Sequence, residues 1–267
     1  MTWPESPAPG KREFLFLGTG TSSGVPVIGC ACPVCQSDDP KNKRTRSGVM
    51  IRTADGNLLI DTPPELRLQL LRERIPLVHA VLFTHHHADH VFGLDDVRMF
   101  PRALGGPLPI YCEPHTETFI RTSFAYAFDP IVQAYPAGGV PKIEFRRIDR
   151  PTCRILGHVV TPIPLHHGRY DTLGFRIGDL AFCTDVNEIP ESSWPLLEGL
   201  DVLVLDALRF ERHPTHFSFD EAVAVVERLK PRKAYFTHIG CALDPERARK
   251  LAPPNVELAY DGLRFEF

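Results

Sequence analysis

THHHADH, residues 84–90, puts four histidines and one aspartate into seven consecutive positions. It follows the apolar run AVLF (80–83), so the cluster sits where a buried strand reaches the surface, a rigid place to mount ligands. His85 and His87, one residue apart, can face one metal ion from such a strand end. Asp89 and His90 then supply a carboxylate and an imidazole for a second ion. His86, between the pair, must turn away and reads as loop filler. A histidine-rich surface loop formed by chance is the plain alternative, and the spacing is too specific for it.

Outward from this stretch, short apolar runs bounded by Gly, Pro or charge read as strands: EFLFLG (13–18), GVMIRT (48–53), NLLIDT (57–62), HAVLFTH (79–85), PIYC (109–112), HVVTPIPL (158–165), LGFRIG (173–178), LAFCTD (180–185), VLVLDAL (202–208), KAYFTHIG (233–240) and VELAYDGLRFEF (256–267). Gly178–Asp179 reads as a hairpin turn. Helices are expected at 63–75, at 218–230 with Ser218 and Glu221 spaced as a capping box, and from Asp244–Pro245 through Leu251. Phe119, Phe124, Tyr126, Phe128 and Tyr135 mark a helical insertion within 113–136. Strand runs with helices between them predict one α/β domain in layers over residues 12–267, after a loose tail at 1–11. Within it, an aromatic insertion at about 97–136 should lie near the pocket.

The chain of 267 residues is 43% hydrophobic and 24% charged, values of a globular protein with a sizeable core, and its net charge of −3 excludes polyanion binding by bulk electrostatics. The N-terminus lacks a signal-peptide pattern, and no apolar run is long enough to span a bilayer, so a cytoplasmic protein without membrane partners is expected. Seven cysteines, an odd number, make a disulfide framework a poor reading.

HxHxDH after a strand resembles the metal-binding signature of the metallo-β-lactamase superfamily. The resemblance implies a four-layer αββα sandwich with a one- or two-metal site at one edge, and more ligands at later strand ends. HVVTPIPLHHG offers His167, before Gly168, with His166 as the fallback; LAFCTD offers Asp185, which would bridge both ions; KAYFTHIG offers His238. One ion would take His85, His87, His167 and Asp185, and the other Asp89, His90, His238 and Asp185. Mixed nitrogen and oxygen ligands suit Zn²⁺ and admit Mn²⁺. Asp61, in LLIDTPP, matches the superfamily's strand-end aspartate that orients the site from behind; alternatively it caps a helix before Pro63.

GCACPVC holds Cys30, Cys32 and Cys35, a thiolate triplet of metal-site spacing, with Cys241 the candidate fourth ligand of a structural Zn²⁺. Together with FLGTGTSSGVPVIG ahead of it, this segment resembles the phosphodiesterase branch, and the phosphoribosyl 1,2-cyclic phosphate phosphodiesterases in particular. Those enzymes close the cysteine site with a histidine where this chain has Cys241. The resemblance places His216, in HPTHFSFDEAV, at a catalytic histidine near the leaving group; a surface residue ahead of the helix is the alternative. Arg98 and the basic run KNKRTR (41–46) are either phosphate contacts or solvated surface.

The implied activity is cleavage of a small phosphodiester, cyclic ones included, by metal-bound hydroxide, with Asp89 and His216 catalytic. A tRNA 3′-end-processing endonuclease shares the GVP loop and the ligand order, but its glycine-rich basic arm is not found in this sequence, so no nucleic-acid partner is expected. A non-hydrolytic relative of the quinone-cofactor biosynthesis type is the other alternative. Whether the chain forms a homodimer is left open.

Overall fold

The apolar side chains of the first strand run in two directions. Phe14 and Phe16 point to one face and Leu15 and Leu17 to the other, and all four are buried. A strand covered on both faces belongs to an inner layer. The computed structural model, which describes residues 6–134, 139–148 and 151–267, shows two such layers. The first sheet is built from β1 (Arg12–Gly18), β2 (Gly48–Thr53), β3 (Gly56–Ile60), β4 (Ala80–Leu82), β5 (Leu108–Cys112) and β6 (Ile143–Arg147). The second contains β7 (Cys153–Ile155), β8 (His158–His167), β9 (Tyr170–Ile177), β10 (Leu180–Cys183), β11 (Val202–Asp206), β12 (Lys233–Thr237) and β13 (Val256–Leu258). The last strand, β14 (Arg264–Glu266), returns to the first sheet, giving the orders β14-β1-β2-β3-β4-β5-β6 and β13-β12-β11-β10-β9-β8-β7. In each sheet a parallel half adjoins an antiparallel half: β3 to β6 run parallel, as do β10 to β13.

Between the sheets lie Phe14, Phe16, Ile51, Leu58 and Ile60 from the first and Phe175, Ile177, Phe182, Val202 and Val204 from the second. Outside the first sheet, Leu15, Met50, Leu59 and Val81 meet Leu66, Leu70, Val91, Leu94 and Ile120. Outside the second, Leu203, Leu205 and Phe236 meet Ala222, Val225 and Val226 of the helix Phe219–Leu229. This is the four-layer αββα sandwich. The helix starts on the expected capping box, with the Ser218 and Glu221 side chains each accepting from the other's backbone.

Some expectations need correction. VELAYDGLRFEF is not one strand: β13 and β14 lie in different sheets. β6 and β7 were not anticipated. The run KNKRTR is not solvated throughout: Arg44 is buried, donating to Thr19 Oγ1 (2.9 Å) and to the Ala259 carbonyl, and Arg46 pairs with Glu65. Arg98 pairs with Asp95 and donates to the Gly139 carbonyl (3.0 Å). The aromatic insertion is helical at Pro114–Ser123 and Pro130–Ala134; Tyr135, and residues 1–5 of the expected tail, fall outside the described residues. Among the described residues no helix is long and apolar enough to cross a membrane.

Candidate active site

The C-terminal ends of the parallel strands converge on one edge of the sandwich. Asp61 follows β3, residues 84–90 follow β4, Asp185 follows β10, and His238 follows β12. Asp61 (φ 64°), Asp185 (φ 52°) and His238 (φ 56°) all hold the left-handed backbone conformation. For residues other than glycine this costs about 1–2 kcal/mol each, and such strain persists where the surrounding structure over-determines it. At each position the sharp turn aims a buried side chain across the strand ends instead of along the sheet.

Two groups of possible ligands result. The ring nitrogens of His85, His87 and His167 lie within 4.8 Å of one another, as do the ligand atoms of Asp89, His90, Asp185 and His238. Asp185 spans both: Oδ1 lies 4.0 Å from His85 Nε2, 3.9 Å from His167 Nε2 and 3.4 Å from His238 Nε2, and Oδ2 lies 3.2 Å from His90 Nε2. His167, and not the fallback His166, joins the cluster; His166 turns outward and pairs with Asp171 (2.8 Å).

The far sides of the rings are held. Asp61 is fully buried and accepts from the Thr84 backbone N–H (2.9 Å), the Thr84 hydroxyl (2.8 Å) and His90 Nδ1 (2.7 Å). It caps no helix: the N-cap of the following helix (Leu66–Arg72) is Glu65. With His90 Nδ1 committed, Nε2 is the nitrogen that faces the cluster. His167 Nδ1 donates to the Thr215 carbonyl (2.5 Å), leaving its Nε2 likewise.

Electrostatics follow from burial and crowding. Burial holds the His85 imidazole well below its usual pKa, and burial with neighbouring histidines lowers His87 and His167. Burial pushes the Asp185 carboxyl up, but His238 and His90 more than offset it and hold it well below the usual range. His216 also stands at the cluster, its ligand atom within 4.8 Å of those of His167 and Asp185. Burial opposes its charge, but Asp206 Oδ2, 2.6 Å from His216 Nδ1, pushes its pKa up to about 9.

Asp206, which the sequence reading did not single out, ends β11. It accepts from His216 and from the Val186 N–H (3.1 Å), and its Oδ1 lies 3.9 Å from His238 Nδ1. The available signal was its place at the end of VLVLD, like Asp185 after LAFC. His86 is no mere filler: it turns away from the cluster and packs on His115, Phe119 and Tyr170.

The four cysteines expected together are together: the sulfurs of Cys30, Cys32, Cys35 and Cys241 lie within 4.8 Å of one another. The Val27 N–H donates to Cys35 Sγ (3.3 Å) and the Cys35 N–H to Cys32 Sγ (3.4 Å). The latter bond is the main cause of a Cys32 thiol lowered to about 7.

A family model described as the Beta-lactamase superfamily domain matches residues 56–239. The chain belongs to this superfamily. The matched span, Gly56 to Ile239, contains every histidine and aspartate of the cluster. Within the superfamily the chain is similar to a crystal structure described as a new diphosphatase from the PhnP family, at 41% identity and a TM-score of 0.89, covering 96% of this chain and 97% of that one. It is 34% identical over 255 residues to an octanoyltransferase of Porphyromonas gingivalis, covering 93% of this chain and 50% of that protein, so it spans half of that relative's length. It is 25% identical to a ribonuclease Z of Anoxybacillus flavithermus, covering 93% of this chain and 95% of that protein.

Proposed function

We propose that this superfamily member is a metal-dependent hydrolase that cleaves a small phosphodiester. The observation that carries the reading is the pair of ligand groups sharing Asp185, with His216 beside them. The donor set fits divalent cations: the Nε2 atoms of His85, His90 and His238 are buried without a hydrogen-bond partner, and buried polar nitrogens are rarely left so. His85, His87, His167 and Asp185 would hold one ion, and Asp89, His90, His238 and Asp185 the other, as Zn²⁺ or Mn²⁺. Ions bound there would supply charge stabilisation at the phosphoryl group and an activated water. Cys30, Cys32, Cys35 and Cys241 form a Cys₄ set of the structural zinc type.

The chain's own residues divide the remaining work. Asp61 and the Thr215 carbonyl fix the imidazoles of His90 and His167, so that only one nitrogen of each is presented. Asp89 is partly open at the cluster and can steer the incoming water. His216 has Nδ1 engaged by Asp206, so Nε2 is the atom that would give a proton to the departing oxygen, a step typically contributing about 10²–10⁴-fold. The diphosphatase named among the relatives supports hydrolysis at phosphorus. Octanoyl transfer is not carried over, because the chain spans only half of that relative.

The test is hydrolysis of bis-p-nitrophenyl phosphate and of ribose 1,2-cyclic phosphate by metal-reconstituted protein. Turnover is expected in the wild type and none in Asp185→Ala with the fold retained. His216→Ala should slow esters of poor leaving groups far more than nitrophenyl esters. Equal losses on both would remove His216 from the acid role, and an inert wild type would overturn the reading.

A further inference from the structure

One residue of the opening heptapeptide, His86, takes no part in the ligand cluster, and it leads to an aromatic wall beside it. The His86 ring lies 5.3 Å from Phe119, 5.2 Å from His115 and 6.0 Å from Tyr170. Phe119 stacks on Phe92 at 6.3 Å with planes 14° apart. Tyr170 also stands edge to face with His87, 5.4 Å between ring centres, so the wall begins at the cluster itself. Two of its rings stand open to solvent: Tyr170 is 54% and Phe92 50% exposed. Exposed aromatic surface that is contiguous with a polar site marks a place where something apolar and flat binds.

Tyr170 is held there on purpose-built geometry. It opens β9 directly after the two-residue turn Gly168–Arg169, opposite His167 in the hairpin register. Gly168 (φ +65°) occupies the first turn position, where a Cβ would meet Thr215 Cγ2 at 2.6 Å, and its N–H is fixed by Asn187 Oδ1 (2.5 Å). Arg169, the other turn residue, is exposed and lines the same cleft as His87, His167 and Tyr170. Among the described residues it has no ion-pair or hydrogen-bond partner. An exposed tyrosine ring and an unpaired cation, side by side at a phosphoester site, match the chemistry of a base-bearing sugar phosphate. A sugar phosphate alone has nothing to lay against the wall.

We propose that Tyr170, backed by His86 and Phe119, seats the nucleobase of a nucleoside phosphodiester, with Arg169 answering the nucleotide's negative charge. This deepens the phosphodiesterase reading and rests on it for the bond that is cleaved, but the seat is testable by binding alone. Zinc-loaded protein is titrated calorimetrically with thymidine 5′-monophosphate and with ribose 5-phosphate. Stacking of a base on an aromatic side chain predicts that the nucleotide binds about 5- to 140-fold tighter. Tyr170→Ala should erase that preference and Tyr170→Phe should keep it. Equal affinity for the two ligands in the wild type, or an alanine variant that weakens both alike, overturns the proposal.

A second arm separates this outcome from failure of the hydrolase reading. p-Nitrophenyl thymidine 5′-phosphate and methyl p-nitrophenyl phosphate share a leaving group. Tyr170→Ala should raise KM for the first about 5- to 140-fold more than for the second. Nucleotide binding that depends on Tyr170, without cleavage of either ester, overturns hydrolysis alone. Cleavage of both esters without dependence on Tyr170 overturns the base seat alone.

Discussion

Asp206 and Asp61 hold the imidazoles of the site from behind, one on each sheet. Asp206 binds His216 Nδ1 at 2.6 Å, and Asp61 binds His90 Nδ1 at 2.7 Å. Removing such outer carboxylates typically costs 10- to 100-fold in metal affinity or activity. Asp61→Ala is therefore expected to weaken metal binding about 10- to 100-fold, read by competition with a chelator of known affinity. Asp206→Asn keeps the shape but not the charge; it should slow esters of poor leaving groups about 10- to 100-fold while metal content holds, and an equal loss on nitrophenyl esters would show that it does not act through His216. Asp61, His167, Asp185 and His238 were legible in the sequence because each ends an apolar run in the order the resemblance implies. Asp206 also ends such a run, but its partner His216 lies ten residues on in a loop, and nothing local couples the two. His86 turns away as expected, and its packing was not legible because its partners Phe119 and Tyr170 come from other elements.

Segments that carry the ligands are laced to one another by backbone bonds. Thr62 N–H donates to the His90 carbonyl (2.7 Å), and Gly93 N–H to the Thr62 carbonyl (2.8 Å). That lacing brings the chain so close at Gly93 that a Cβ would meet the Pro63 carbonyl oxygen at 2.1 Å and Leu66 Cβ at 2.9 Å. Gly93→Ala should destabilise by about 1–3 kcal/mol, lowering the melting temperature by several degrees in a thermal melt. An unchanged melting temperature would mean that the two segments do not touch as described. Strands were legible where both faces are buried, as in β1, β2 and β11, since their apolar runs are continuous. β6 escaped because it is an edge strand, none of its residues buried, with only Ile143 and Phe145 apolar. β13 and β14 were merged because the turn between them is held by tertiary contacts, such as the Ala259 N–H on the Phe236 carbonyl (2.8 Å) and the Gly262 N–H on the Phe16 carbonyl (2.9 Å).

Across the whole molecule, the cysteine loop and the cluster meet at the end of β12. Ile239, next to His238, donates to the Thr19 carbonyl (2.8 Å) and accepts from the Thr21 N–H (3.3 Å), and Cys241 joins the cysteines of that N-terminal loop. Replacing Cys30 and Cys32 by serine should remove one bound ion per chain and lower the melting temperature, read by elemental analysis and a thermal melt; an unchanged ion count would leave the cysteines as ordinary packing. The layered α/β architecture was legible because alternation of strand and helix signals is a property of the entire chain. The convergence of distant strand ends at one edge was legible only through the resemblance, since no local pattern states which ends meet.

Whether two cations share Asp185 is decided by anomalous X-ray scattering at the zinc edge from crystals of zinc-loaded protein. Two peaks are expected to flank the Asp185 carboxylate, one among His85, His87 and His167 and the other among Asp89, His90 and His238. A single peak, or peaks at positions that Asp185 does not touch, would contradict that sharing.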